Sequence, residues 1–108
     1  MRRFLGGLAL SAGTRKCIVY RSERGKTIRL CITVSDGKIA YATFTGDFFG
    51  EPAEEFQRLG ELLVGLRVDD VDEMMRRIDS FFEKSVTWLA GASPEDFKQA
   101  LRKILENL

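Results

Sequence analysis

Thr43-Phe44-Thr45-Gly46-Asp47-Phe48-Phe49-Gly50 divides the chain into two halves of different periodicity. Before it, apolar residues recur at every second position; after it, they recur at every third or fourth. A strand here runs into a glycine, an acid, two adjacent phenylalanines and a second glycine. The glycines permit backbone conformations that other residues resist. The paired rings bring a large apolar payload to a point where the chain turns. Two readings follow. The commoner use of such residues is a hydrophobic plug where a sheet meets its first helix. The other is a recognition loop at a sheet end, where backbone N–H groups and an acid meet a partner or ligand.

Upstream of the loop, the pattern is that of a meander. The first strand is expected over Lys16 to Arg21 and the second over Lys26 to Val34. Ile28, Leu30, Ile32 and Val34 share one face of the second strand, and Thr27, Arg29, Cys31 and Thr33 share the other. Glu23-Arg24-Gly25 suits a three-residue hairpin with glycine in the left-handed position. That loop pairs Ser22 with Lys26 and sets Cys17 opposite Cys31. Two unlinked small side chains on a strand face are the commoner outcome for such a pair, and a disulfide is the alternative. Ser35-Asp36-Gly37 signals a tight turn into a third strand, Lys38 to Thr45. Its apolar phase breaks between Ile39 and Ala42. One bulged residue there places Ile39, Ala42 and Phe44 together on the core face.

Downstream, three helices are expected. Pro52 suits a first helical position, Glu54 and Glu55 suit the positive helix end, and Gly65 suits a terminus. Phe56, Leu59, Leu63 and Leu66 form the buried stripe of that helix. A second helix begins near Asp69 or Asp70, with Asp70 and Glu73 at capping-box spacing. Its stripe is Val71, Met74, Met75, Ile78, Phe81 and Phe82. Ser93-Pro94-Glu95-Asp96 is the clearest start signal in the chain, followed by Phe97, Ala100, Leu101, Ile104, Leu105 and Leu108. Thr87 to Ala92 reads as a connector with Trp88 buried. The expected fold is α+β, a three-stranded antiparallel meander with about three helices packed on one face in two layers.

The 108 residues are enough for one domain, expected over residues 14–108. Met1 to Gly13 faintly imitates a signal peptide, but its apolar run is short and interrupted by Gly6 and Gly7. It reads as a loosely ordered N-terminal extension of a cytoplasmic protein. A hydrophobic fraction of 44% with 31% charged residues supports a real core. Net charge is only +1, but it is unevenly spread. Residues 1–50 hold 9 Lys and Arg against 3 Asp and Glu, and residues 51–108 hold 8 against 13. The sheet half is therefore basic and the helical half acidic; the commoner meaning of such a split is solvated surface and internal complementarity, and the alternative is a basic sheet face that docks an acidic partner. Histidine is absent, which removes the commonest general base and metal ligand. Two cysteines are too few for a zinc or iron–sulfur site, and no Ser/His/Asp or Cys/His constellation can form. The chain is poorly equipped to be a free-standing enzyme.

Ser35-Asp36-Gly37-Lys38-Ile39, a further strand, Thr45-Gly46-Asp47-Phe48-Phe49-Gly50 and then Leu63-Val64-Gly65 together resemble the accessory domain of lipoate–protein ligases. Gly25-Lys26 also fits the pattern, and the likeness covers roughly Arg15 to Phe82. The chain looks like the separate accessory subunit found in some archaea. The resemblance implies a heteromeric ligase whose catalytic subunit binds ATP, magnesium and lipoate, makes lipoyl-adenylate and transfers lipoate to a lysine of acceptor domains. The accessory subunit would support adenylation. It implies no catalytic residue or metal ligand in this chain, and no cofactor bound by this chain alone. Gly46, Asp47, Phe48 and Phe49 transfer as partner-facing or loop-shaping positions.

Two rival readings remain. The order of elements also resembles the iron–sulfur cluster assembly scaffolds, so the fold is expected to be shared with them. Those proteins place a cysteine after the third strand, where this chain has Gly46-Asp47-Phe48-Phe49, so a non-catalytic protein-interaction module is the alternative. An RNA-binding sheet needs exposed aromatics for stacking, and the face carrying Thr27, Arg29, Cys31 and Thr33 lacks them. Neither nucleic acid nor membrane is expected as a partner.

Overall fold

The computed structural model describes residues 13–23 and 25–108. Apart from Gly13, the expected N-terminal extension lies outside the described residues, as does Arg24 of the first hairpin loop. Strands β1 (Thr14–Arg21), β2 (Thr27–Ser35) and β3 (Lys38–Gly46) form one antiparallel sheet in that order. Both turns follow from their residues. The Ser22 N–H donates to the Lys26 carbonyl at 2.7 Å, and Gly25 takes the left-handed conformation at φ 80°. Asp36 and Gly37 are both left-handed, at φ 55° and 74°, as the twist of a two-residue hairpin requires. The bulge falls where the apolar phase breaks. Thr33 pairs with Tyr41 and Val34 with Ile39, leaving Ala40 as the extra residue. Ile39, Ala42 and Phe44 are thereby buried on the inner face with Ile28, Leu30 and Ile32.

Beyond the loop, β4 (Phe49–Glu51) leads into α1 (Ala53–Phe56), a single turn, and a 3-10 turn follows at Gly60–Leu63. The continuous first helix expected from the spacing is therefore broken in two. Gly60 is buried so close to β3 that an added Cβ would overlap the Ala42 carbonyl oxygen. Neither short piece has a side-chain cap. Leu59 and Leu63 nonetheless reach the core as expected, with no exposed surface. The segment after them covers part of the free edge of β3. Ile39 donates to Leu66, Gly65 to Ile39 and Val68 to Gly37, at 2.9, 2.7 and 3.0 Å.

Helix α2 (Val71–Lys84), strand β5 (Trp88–Ala90) and helix α3 (Pro94–Glu106) complete the chain. Met74, Met75, Ile78 and Phe81 of α2 meet Phe97, Ala100, Leu101 and Ile104 of α3 in the core cluster under the sheet. Leu108, expected in that stripe, is 53% exposed because α3 has already ended. The α3 start is a full capping box. Asp96 donates its N–H to Ser93 Oγ at 3.4 Å, and Ser93 donates its N–H to Asp96 Oδ2 at 2.9 Å. The box expected at Asp70 and Glu73 does not form. Asp70 makes no side-chain cap, and Glu73 accepts instead from Arg76 and Arg77 on its own helix. The connector expected at Thr87 to Ala92 contains β5, which pairs antiparallel with β4 as a second, two-stranded sheet.

Candidate functional site: the Gly46 to Phe49 loop and its ribbon

The four residues singled out by sequence lie in succession at the end of β3, but the structure gives them different surroundings. Gly46 sits at φ 151°, and an added Cβ would overlap the Thr27 carbonyl oxygen. A glycine is thus required for the last contact between β3 and β2. Asp47 then ties the loop to the same residue twice. Its N–H donates to the Thr27 carbonyl at 2.9 Å, and its Oδ2 accepts from Thr27 Oγ1 at 2.8 Å.

Phe48 turns inward. Its ring lies 4.9 Å from that of Phe97 and 5.8 Å from that of Phe56, centroid to centroid. These rings continue through Phe44, Phe81 and Phe82 into one connected aromatic cluster, largely edge-to-face. Phe49 is the one described phenylalanine outside it, and it is 74% exposed.

The ribbon explains that exposure. Phe49 pairs with Ala90, Gly50 with Leu89 and Glu51 with Trp88. Paired residues share a face, so Phe49, Glu51, Trp88 and Ala90 stand on the outer side. Gly50 and Leu89 face inward, with the Phe56 ring lying over Gly50 where a Cβ would stand. Trp88 is 55% exposed, not buried as its lone, connector-like setting suggested. Nothing in its local pattern signals this, because its strand partner lies almost forty residues away. Gly91 closes the ribbon at φ 91°, packed against the Asp47 carbonyl and Phe48.

Beside the loop, a groove of about 410 Å³ opens between β3 and the 3-10 turn. Phe44, Phe48, Phe56, Gly46 and Gly60 line it, with Thr43, Thr45 and Gln57 as the polar members. Among the described residues, no ionisable side chain lines this groove, so it offers apolar contact and hydrogen bonds. Among the described residues, no three of His, Cys, Asp and Glu converge as a metal-binding group, and no helix is long and apolar enough to cross a membrane. On the far face of the sheet, Cys17 and Cys31 lie opposite each other with their sulfurs at disulfide distance.

Comparison with known proteins gives consistent findings. The family model described as the bacterial lipoate protein ligase C-terminus matches residues 21–101. Lipoate-protein ligase A subunit 2 of Thermoplasma acidophilum is 31% identical over 85 residues, which is 79% of this chain and 85% of that protein. A chain from the solved archaeal lipoylation system of the same organism, described as a bi-partite lipoate protein ligase and its E2 lipoyl domain, superposes with a TM-score of 0.70. It is 27% identical in sequence, and the match covers 82% of this chain and 96% of that one.

Proposed function

This chain belongs to the family of the bacterial lipoate protein ligase C-terminus, and from that premise we propose that it is the accessory subunit of a bipartite lipoate–protein ligase. It works with a separate catalytic subunit that activates lipoate as lipoyl-adenylate and passes it to a lysine of a lipoyl acceptor domain. Lipoate, ATP and magnesium are held by that partner, in the cytoplasm. This chain contributes shape: it docks on the catalytic subunit and stabilises the arrangement competent for adenylation, as closing elements do in other enzymes.

The single observation that supports this reading most is the divided behaviour of the Gly46–Phe49 motif. Gly46, Asp47 and Phe48 build the loop, while Phe49 projects beside Trp88 on the outer ribbon face. Two exposed large aromatics on one short ribbon are what interface anchors look like before a partner covers them. We assign that face to the catalytic subunit. We further assign Cys17 and Cys31 a structural role, a covalent tie between β1 and β2.

The direct test is lipoyl-adenylate formation by the catalytic subunit with and without this chain. The expected result is strong dependence on the chain and a stable complex between the two. Unchanged adenylation together with no complex would sink the reading.

A further inference from the structure

The outer face of the β4–β5 ribbon has four corners, and only two of them are aromatic. Phe49 faces Ala90 in one cross-strand row, and Glu51 faces Trp88 in the next. Paired residues on such a ribbon hold their Cβ atoms about 5 Å apart and diagonal neighbours about 7 Å, within reach of long side chains. The two rings therefore stand at diagonal corners, with a carboxylate and a methyl group at the other two. Phe49, Glu51 and Trp88 are all exposed. Ala90 is the one small side chain of the four, so the face is lowest between the rings, within reach of the acid.

The electrostatic setting of this face is one-sided. Residues 39–57 and 85–97, which contain the ribbon and its flanks, hold Asp47, Glu51, Glu54, Glu55, Glu95 and Asp96 and no Lys or Arg. Most of these acids are occupied within the chain. Asp47 accepts from Thr27, Glu55 pairs with Arg58, Asp96 caps α3 with Ser93, and Glu95 pairs with Lys98. Lys84, the last cation before β5, lines a separate groove with Arg76, Arg77 and Leu62. Glu51 has no ion pair among the described residues, and the segments around it carry no cation to supply one. A positive charge that meets this carboxylate between the rings has to come from outside the ribbon.

We propose that this face is a socket for a guanidinium: an arginine side chain of the catalytic subunit lies against the Trp88 and Phe49 rings and forks onto the Glu51 carboxylate. The proposal rests on the accessory-subunit reading above and names the chemistry of the contact which that reading assigns to the ribbon. Three physical requirements point to arginine. Aromatic faces attract a cation, most strongly at tryptophan. A planar guanidinium can stack on a ring while its edge donates two parallel hydrogen bonds to one carboxylate, a geometry closed to an ammonium. An apolar anchor pressed into the same place would leave Glu51 desolvated and unpaired inside the contact, which is strongly unfavourable. A polynucleotide fits less well, because the acids around the ribbon repel phosphates.

The test is a double-variant cycle on the full chain, titrated calorimetrically with the purified catalytic subunit, with the fold of each variant checked by circular dichroism. Glu51→Gln and Trp88→Ala should each weaken the complex by about tenfold or more. Both groups act on one cation, so the double variant should lose much less than the product of the two single losses. Raising salt from about 0.05 to about 0.5 M should weaken the wild-type complex more than the Glu51→Gln complex. Glu54→Gln, which neutralises an exposed acid in the first turn of α1, should leave affinity unchanged. Unaltered binding by Glu51→Gln would overturn the proposal. So would an equal loss for Glu54→Gln, which would reduce these acids to general steering. Independent losses in the cycle would also overturn it, by showing that ring and carboxylate do not share a ligand. Self-association of the chain that Glu51→Gln abolishes would overturn it too, since the occupant would then be a second copy. If wild-type chain bound the catalytic subunit and stimulated adenylation while the ribbon variants matched it, the accessory reading would stand and the socket would fall. Absence of both binding and stimulation by wild-type chain would overturn both.

Discussion

Phe48 and Phe49 are adjacent in sequence and opposite in surroundings, because successive side chains leave an extended backbone in opposite directions. One ring packs against Phe56 and Phe97; the other meets water beside Trp88. Alanine at the two positions therefore separates stability from function. Phe48→Ala removes a ring from the aromatic cluster and should cost about 2–4 kcal/mol. For a domain of this size that lowers Tm by roughly 10 °C or more in a thermal scan. Phe49→Ala removes little buried surface, so its Tm should hardly move. Its stimulation of lipoyl-adenylate formation should fall by about tenfold or more if the ring anchors the catalytic subunit. The reverse assignment of the two phenotypes would refute the division of roles within the motif.

At the scale of the element, helices α2 and α3 differ in how their ends and faces are secured. Helix α3 closes its N-terminus with Ser93 and Asp96, whereas α2 uses its first-turn acid Glu73 to gather Arg76 and Arg77. Arg77 also donates to the Leu62 carbonyl at 2.9 Å, which links α2 to the 3-10 turn. Hydrogen bonds from Arg76 first, and then Arg77, hold the Glu73 carboxyl below its ordinary range. Asp69 is held down by Arg67, and Glu95 by Gln99 and Lys98. A carboxylate that ionises more easily in the folded chain adds stability above its unfolded value, about 4.3 for Glu. That contribution disappears as pH falls through the lower folded value. Tm should therefore decline on acidification below about pH 5, and Glu73→Gln should flatten the decline. A Tm series against pH for both proteins checks this, and parallel profiles would show that Glu73 plays no part.

The molecule as a whole is joined by its aromatic cluster, which draws Phe44 from β3, Phe48 from the loop, Phe56 from α1, Phe81 and Phe82 from α2, and Phe97 from α3. A two-stranded ribbon is marginal alone, so β4 and β5 depend on that cluster for their order. Trp88, the single tryptophan, reports on the ribbon, while far-UV circular dichroism reports mainly on α2 and α3. Their unfolding transitions should coincide. Reducing the Cys17–Cys31 pair should shift both to lower temperature together, since a link spanning a separation of 14 residues is worth about 3 kcal/mol. Earlier loss of the Trp88 signal would mark the ribbon as a separate unit. An unchanged Tm on reduction would argue against the structural tie.

The meander, its two turns, a bulge between Ile39 and Ala42, the Cys17–Cys31 register and the cap of α3 were all legible in the chain itself. Each depends on residues close in sequence: an Asp-Gly turn, a period of two that slips by one, or a serine three residues before an acid. The loop at Gly46–Phe49 was legible as a candidate site by its wording, but not the opposite placement of its two phenylalanines. Three further features belong to the tertiary structure alone. The expected first helix stops at Phe56 and resumes as a 3-10 turn at Gly60, which packs against β3; β4 finds β5 across almost forty residues; and Trp88 is turned outward by that pairing. Local propensity and periodicity carry no record of such contacts, because the residues that meet have no fixed spacing along the chain.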